Sequence, residues 1–154
     1  MLRLRVFLIF LFIVLTVMGG VHGYLYLRLV RDTALPEPWA EILGVGLLLV
    51  VLGIPLSFLA TRLLDKNRAR LLVVPMYIWL GFAFLTFALL LTVDLARVLL
   101  SLILSVTGVI GPFQDPAREV LTWRVLAGVI VTVTVMATVL SIWWGLSRIN
   151  IRRL

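Results

Sequence analysis

The sequence has 154 residues, of which 63% are hydrophobic and 14% are charged, and its formal net charge is +7. Soluble domains are about half apolar with about a quarter of their residues charged, so this composition excludes an ordinary soluble fold and predicts an integral membrane protein. The lack of cysteine excludes a disulfide framework, a thiolate metal site and a cysteine nucleophile.

The first predicted membrane span covers about residues 6–30 and follows Arg3 and Arg5. A basic start before an apolar run is also typical of a secretory signal peptide. This apolar run exceeds the roughly 7–15 residues of a signal peptide, and no Ala-x-Ala-like cleavage site follows it. The segment is therefore predicted to stay in the protein as a transmembrane helix, which needs about 20 apolar residues.

Pro36 and Pro38 predict a turn after the first span, because proline lacks a backbone donor and keeps the preceding residue out of the helical region. The second span follows at about residues 39–64, and a kink is expected at Pro55. A hydrophilic connection over residues 62–70 leads to the third span. Glycines of the first and second spans are expected to let neighbouring helices approach closely: Gly19, Gly20, Gly23, Gly44, Gly46 and Gly53.

The third span is predicted at about residues 71–97, but apolar sequence continues well beyond it. A single helix over residues 71–109 would be about 58 Å long at 1.5 Å per residue, nearly twice the roughly 30 Å hydrocarbon core. Residues 98–110 are therefore expected either to extend the third helix out of the membrane or to form an additional interfacial helix. Gly111 and Pro112 end this stretch.

The fourth span covers about residues 120–146. Tryptophan is enriched at membrane interfaces, and three tryptophans near span ends are predicted to be interface anchors: Trp39, Trp143 and Trp144. Together the four spans predict an all-α integral membrane four-helix bundle that forms a single domain over residues 1–154.

Four spans would place both termini and the connection between the second and third spans on one side. That side carries most of the basic residues: Arg3, Arg5, Arg62, Lys66, Arg68, Arg70, Arg148, Arg152 and Arg153. Short loops rich in lysine and arginine stay in the cytoplasm, so both termini are predicted to be cytoplasmic. Because these cations adjoin apolar segments, the predicted partners are membrane lipids, and no nucleic-acid partner is predicted.

Three polar residues in or next to the spans are candidate functional residues. Asp94 and Arg97 stand three positions apart, so they can pair on one helical face, either as a proton or ion relay or as a structural pair at the headgroup boundary. His22 is the only histidine and cannot form a tetrahedral metal site alone, so a hydrogen bond to another helix is the expected role, with a proton carrier as the alternative.

Several short patterns together resemble the amino-terminal membrane region of bacterial calcineurin-like metallophosphoesterases. They are His22-x-Tyr24-x-Tyr26-x-Arg28-Leu29-Val30-Arg31-Asp32-Thr33-x-Leu35-Pro36-x-Pro38-Trp39, Trp79-x-Gly81 and Asp94-Leu95-x-Arg97. The resemblance is best over residues 21–97 and loose in the fourth span. It implies the bacterial inner membrane, where several membrane helices precede a catalytic domain that binds two metal ions and hydrolyses phosphoesters.

The metal-binding segments of that family are Asp-x-His, Gly-Asp-x-x-Asp, Gly-Asn-His-Asp/Glu and Gly-His-x-His, and none occurs in this chain. No catalytic residue, metal ligand or cofactor is therefore predicted within it. The first hypothesis is a membrane anchor and scaffold domain, non-catalytic by itself, whose partner is a carboxy-terminal phosphoesterase domain. The alternative is a stand-alone membrane protein that assembles as a homo-oligomer or with a partner, acting as a channel, transporter subunit or lipid-binding protein.

Overall fold

The computed structural model describes the backbone of residues 2–107 and 116–147, and the side chains of residues 5–107, 118–145 and 147. Its helices are α1 (Leu2–Tyr26), α2 (Trp39–Leu63), α3 (Lys66–Thr107) and α4 (Pro116–Ser147), and the π-helical turn Leu27–Arg31 continues α1. All four helices are long and apolar enough to cross a membrane. The predicted all-α fold with four spans is confirmed, and the chain is a multi-pass membrane protein by length and composition.

The third helix is continuous from Lys66 to Thr107 and has 42 residues. Its length of about 62 Å is roughly twice the hydrocarbon core. Of the two alternatives for residues 98–110, the described part continues the third helix, and residues 108–110 lie outside the described residues. The helix begins earlier than the predicted residue 71, because the basic residues of the connection are themselves good helix formers.

The two described connections are short. After α1, the N–H of Asp32 donates to the carbonyl of Leu27 at 2.9 Å and that of Leu35 to the carbonyl of Val30 at 3.1 Å, both with π-type spacing. The predicted turn with its two prolines then leads into α2. Between α2 and α3, Leu64 is extended and ends α2, so that α3 starts two residues later at Lys66.

The bundle core lies where α1, α3 and α4 meet. It is formed by buried side chains from these three helices: Leu25, Ala83, Leu90, Trp123 and Ile130. Two fully buried threonines adjoin it, and Thr86 and Thr134 each donate a hydroxyl hydrogen bond to the carbonyl four residues earlier in their own helix at 2.8 Å. The polar groups of this core are thus satisfied within their helices, as a membrane interior requires.

Helix α2 packs against α1 and α3, and two of its glycines lie at these contacts. A Cβ atom at Gly44 would lie 3.1 Å from the Tyr26 ring of α1, and one at Gly53 would lie 3.1 Å from the Met76 sulfur of α3. Cβ atoms at Gly19, Gly20, Gly23 and Gly46 would each meet nothing within 4 Å. Gly44 and Gly53 therefore allow close helix contact, and the other four glycines do not take part in one.

We expect Gly53→Val to destabilise the protein by about 1–3 kcal/mol, because a branched side chain must displace Met76 or separate α2 from α3. The free energy of unfolding in detergent micelles measures the effect. Gly46→Val is the matched control, with the same change in helix propensity and open space around the new side chain. Equal losses for the two variants would contradict the close contact at Gly53.

Candidate functional site

A cluster of charged and aromatic side chains connects α1, α3 and α4 near one end of the bundle. At its centre, Asp94 of α3 accepts two hydrogen bonds on Oδ2, from the Tyr24 hydroxyl at 2.5 Å and from Nε of Arg28 in the π turn at 2.9 Å. Nη2 of the Arg28 guanidinium also forms an ion pair with the same oxygen at 2.8 Å. The Asp94 and Arg28 side chains are 15% and 24% exposed, so the ion pair is largely shielded from solvent.

Arg28 has further contacts that fix its guanidinium in place. Its Nη1 donates to Asp32 at 2.6 Å, one helical turn later. The guanidinium carbon also lies 4.8 Å from the centroid of the Trp123 ring on α4 and 5.6 Å from that of Tyr24. Arg28 thus contributes charge-assisted hydrogen bonds and cation–π contacts in one place and joins three helices.

Two further arginines extend the cluster towards the start of α4. Arg97 donates to Glu119 at 3.0 Å and lies 5.7 Å from the Trp123 ring centroid. Arg124 donates to the backbone carbonyls of Thr33 and Ala34, at 2.8 and 3.1 Å, and so holds the connection between α1 and α2 against α4. We call these residues the polar cluster: Tyr24, Arg28, Asp32, Asp94, Arg97, Glu119, Trp123 and Arg124.

The polar cluster lies near one end of the first candidate span, Arg5–Arg31. Arg5 and Arg28 are separated by 23 positions of α1 and its π turn, a rise of about 35 Å, which matches the roughly 30 Å hydrocarbon core. Charged groups placed there are paired at moderate cost, whereas the same groups at the bilayer centre would cost several kcal/mol more.

One atom of the cluster has no hydrogen-bond partner among the described residues, namely Oδ1 of Asp94, which is buried. The three donors around this carboxylate all converge on Oδ2. Burying an acceptor oxygen without a donor costs free energy. The contacts of Asp94 Oδ2 offset this cost and hold the side chain in place.

His22 lies deeper along α1 and faces α3. The Trp79 indole N–H donates to His22 Nε2 at 3.0 Å, and the His22 Nδ1 atom lies 2.8 Å from the carbonyl oxygen of Met18. An indole N–H is only a donor, so Nε2 is the acceptor and the ring proton is on Nδ1, where it is donated to Met18. Both ring nitrogens are therefore occupied, and His22 connects α1 to α3.

We expect His22→Leu to destabilise the protein by about 1 kcal/mol, because it leaves the Trp79 N–H without an acceptor inside the bundle. A double-mutant cycle with Trp79→Phe isolates this contact, with an expected coupling of about 0.6–1.7 kcal/mol in detergent unfolding. Additive effects of the two substitutions would contradict the hydrogen bond.

The structure separates the three predicted polar candidates into two places, with Asp94 and Arg97 in the polar cluster and His22 beside Trp79. Sequence spacing predicted a pair between Asp94 and Arg97. The side-chain contacts recorded for them reach other helices, from Asp94 to Tyr24 and Arg28 and from Arg97 to Glu119. The predicted interface anchors are exposed near the helix ends: Trp39 at the start of α2, and Trp143 and Trp144 near the end of α4.

Sequence reasoning did not single out several members of the polar cluster. Tyr24 was not among the candidate functional residues, and Trp123, between Thr122 and Arg124, belongs to no pattern that marks a site. Tyr24 and Arg28 are four positions apart, and this spacing places them on one face of a helix. The spacing is the signal that could have identified them.

The described residues contain no group of three or more histidine, cysteine, aspartate or glutamate side chains that could hold a metal ion. Comparisons with protein families, with curated proteins and with solved structures give no match for this chain. The arguments about function therefore rest on the geometry of the bundle and on the sequence patterns.

Proposed function

We propose that this chain is a membrane anchor and scaffold domain, non-catalytic by itself, of the kind that holds a metallophosphoesterase at the bacterial inner membrane. Its spans would keep a following catalytic domain next to lipid-borne or membrane-proximal phosphoesters. The sequence resemblance over residues 21–97 motivates the enzyme class, and the way the polar side chains are used supports the anchor role.

The observation that carries the anchor role is that polar side chains in the spans are used to join helices. Arg28 and Asp94 connect α1 to α3, and Arg97 connects α3 to α4. His22 connects α1 to α3 a second time, through Trp79. Such contacts suit a rigid support, since each charged or polar group is matched to a protein partner in a surrounding of low dielectric constant.

The alternative of a channel or transporter subunit predicted that Asp94, Arg97 and His22 form a shared polar lining. Their contacts instead divide between the polar cluster and the pair of His22 with Trp79. A pathway for ions needs polar groups that can exchange partners with water or with the transported ion. The packed contacts of these side chains favour the anchor over the alternative.

The proposed orientation places both termini in the cytoplasm of a bacterial cell. Nine of the 14 basic residues in the sequence belong to the predicted cytoplasmic side, and five belong to the opposite side: Arg28, Arg31, Arg97, Arg118 and Arg124. The opposite side carries the polar cluster, in which Arg28 pairs with Asp32 and Asp94, and Arg97 pairs with Glu119. The excess of basic residues on one side supports the proposed orientation, because short loops rich in lysine and arginine stay in the cytoplasm.

The genomic reading frame after Leu154 tests the proposal directly. Continuation into a domain with the two-metal motifs of a phosphoesterase is the expected result. A stop codon after Leu154 would contradict the anchor role and favour a stand-alone membrane protein. A purified 154-residue chain with metal-dependent phosphatase activity would contradict the statement that the chain is non-catalytic.

A further inference from the structure

An apolar groove between α3 and α4 opens on the side of the bundle, in the half of the membrane next to the connection between α2 and α3. It has a volume of 410 Å³, within the roughly 300–1,000 Å³ of ligand pockets. The residues that line it are Val74, Pro75, Ile78, Trp79, Phe82 and Thr138.

The groove offers hydrocarbon-like walls, because its two polar side chains are engaged elsewhere. The Trp79 N–H donates to His22, and the Thr138 hydroxyl donates to the carbonyl of Thr134 at 2.8 Å. From Val74 to Phe82 the groove extends about 12 Å along α3, most of the depth of one leaflet of a roughly 30 Å core. Its chemistry and length suit an acyl chain.

A basic turn lies directly beyond the groove towards the membrane surface. It consists of four exposed cations at the end of α2 and the start of α3: Arg62, Lys66, Arg68 and Arg70. Among the described residues, these four side chains have no ion pair, unlike Arg28 and Arg97 of the polar cluster. Unpaired cations at this depth meet the phosphates of lipid headgroups.

One of the cations shares a helical face with the groove. On the continuous helix α3, Arg68 lies within about 60° of Pro75, Trp79 and Phe82 around the helix axis, because the intervals between these four residues are seven, four and three positions. Lys66 and Arg70 are each two positions from Arg68, which places them on the opposite face of the helix.

We propose that the groove and the basic turn form one binding site for an anionic phospholipid of the same leaflet, with the phosphate at Arg68 and one acyl chain in the groove. Charge complementarity selects the headgroup, and the dry apolar walls hold the chain. The site depends on the chain spanning a membrane and not on the proposed anchor role.

Native mass spectrometry of the full chain in detergent tests this site, with dioleoyl phosphatidylglycerol and dioleoyl phosphatidylcholine titrated in turn. The unaltered protein is expected to bind the anionic lipid more tightly than the zwitterionic one. Arg68→Gln is expected to weaken phosphatidylglycerol binding about fivefold. Arg70→Gln is the matched control from the same turn and is expected to change the affinity less than about twofold.

Val74→Trp fills the groove without changing charge and is expected to weaken binding of both lipids. Val74→Phe replaces it if the tryptophan variant does not fold. Equal affinities of the unaltered protein for the two lipids would overturn the proposal. So would equal effects of Arg68→Gln and Arg70→Gln, which indicate general attraction to the basic turn, or full phosphatidylglycerol affinity in a folded Val74 variant.

Discussion

Replacing Asp94 by alanine is expected to lower the free energy of unfolding in detergent by about 2–4 kcal/mol. The substitution removes the carboxylate through which Tyr24 and Arg28 bond to α3. It also leaves the Arg28 guanidinium, which is largely shielded from solvent, with Asp32 as its remaining carboxylate partner among the recorded contacts. The loss combines missing charge-assisted hydrogen bonds with a charge that is poorly compensated at the edge of the membrane.

Arg31→Gln is the control for the Asp94 substitution, because it breaks an ion pair of a different kind. Arg31 contacts Asp32 at 3.3 Å, but its side chain is 67% exposed. Exposed ion pairs contribute only about 0–1 kcal/mol, so this variant should unfold almost as the unaltered protein does. Similar losses of unfolding free energy for Asp94→Ala and Arg31→Gln would contradict the stabilising connection between α1 and α3 through Arg28 and Asp94.

Replacing Trp123 by alanine is the second substitution with a large expected effect, about 3–5 kcal/mol. The indole is 1% exposed and belongs to the core where α1, α3 and α4 meet. Two guanidinium groups, those of Arg28 and Arg97, also lie against its ring. The variant therefore creates a cavity in the core and removes cation–π contacts at the same time.

Trp143→Ala provides the matched comparison on the same helix. Trp143 is 70% exposed, so its removal leaves no cavity within the bundle. We expect its unfolding free energy to change by less than about 0.5 kcal/mol. A loss for Trp143→Ala as large as that for Trp123→Ala would show that the cost reflects the substitution type and not the packing of Trp123.

The spans were predictable because their signal is local. A run of about 20 apolar residues is decisive regardless of what surrounds it, and the paired prolines mark the first turn unambiguously. The ends of α3 were harder to predict. Its basic start and its apolar extension after Arg97 are both compatible with a helix, so the local sequence does not show where the helix begins and ends. The structure shows one continuous helix over this whole length, as far as the described residues reach.

The partners within the polar cluster could not be read from the sequence. Spacing along one helix suggested that Asp94 pairs with Arg97, three positions away. Which residue of another helix meets Asp94 depends on how α1 and α3 are rotated against each other, and no local pattern encodes that rotation. Trp123 illustrates the same limit, because its burial follows from the packing of α4 and not from its neighbours in sequence.

The proposed orientation places the basic turn in the cytoplasm and the polar cluster on the opposite side of the membrane. The chain lacks cysteine, so single cysteines at Lys66 and Glu37, both exposed, can be labelled without background. In spheroplasts treated with a membrane-impermeant maleimide, we predict that Glu37→Cys is labelled and that Lys66→Cys is labelled only after the membrane is permeabilised. Labelling of Lys66→Cys in intact spheroplasts would contradict the account.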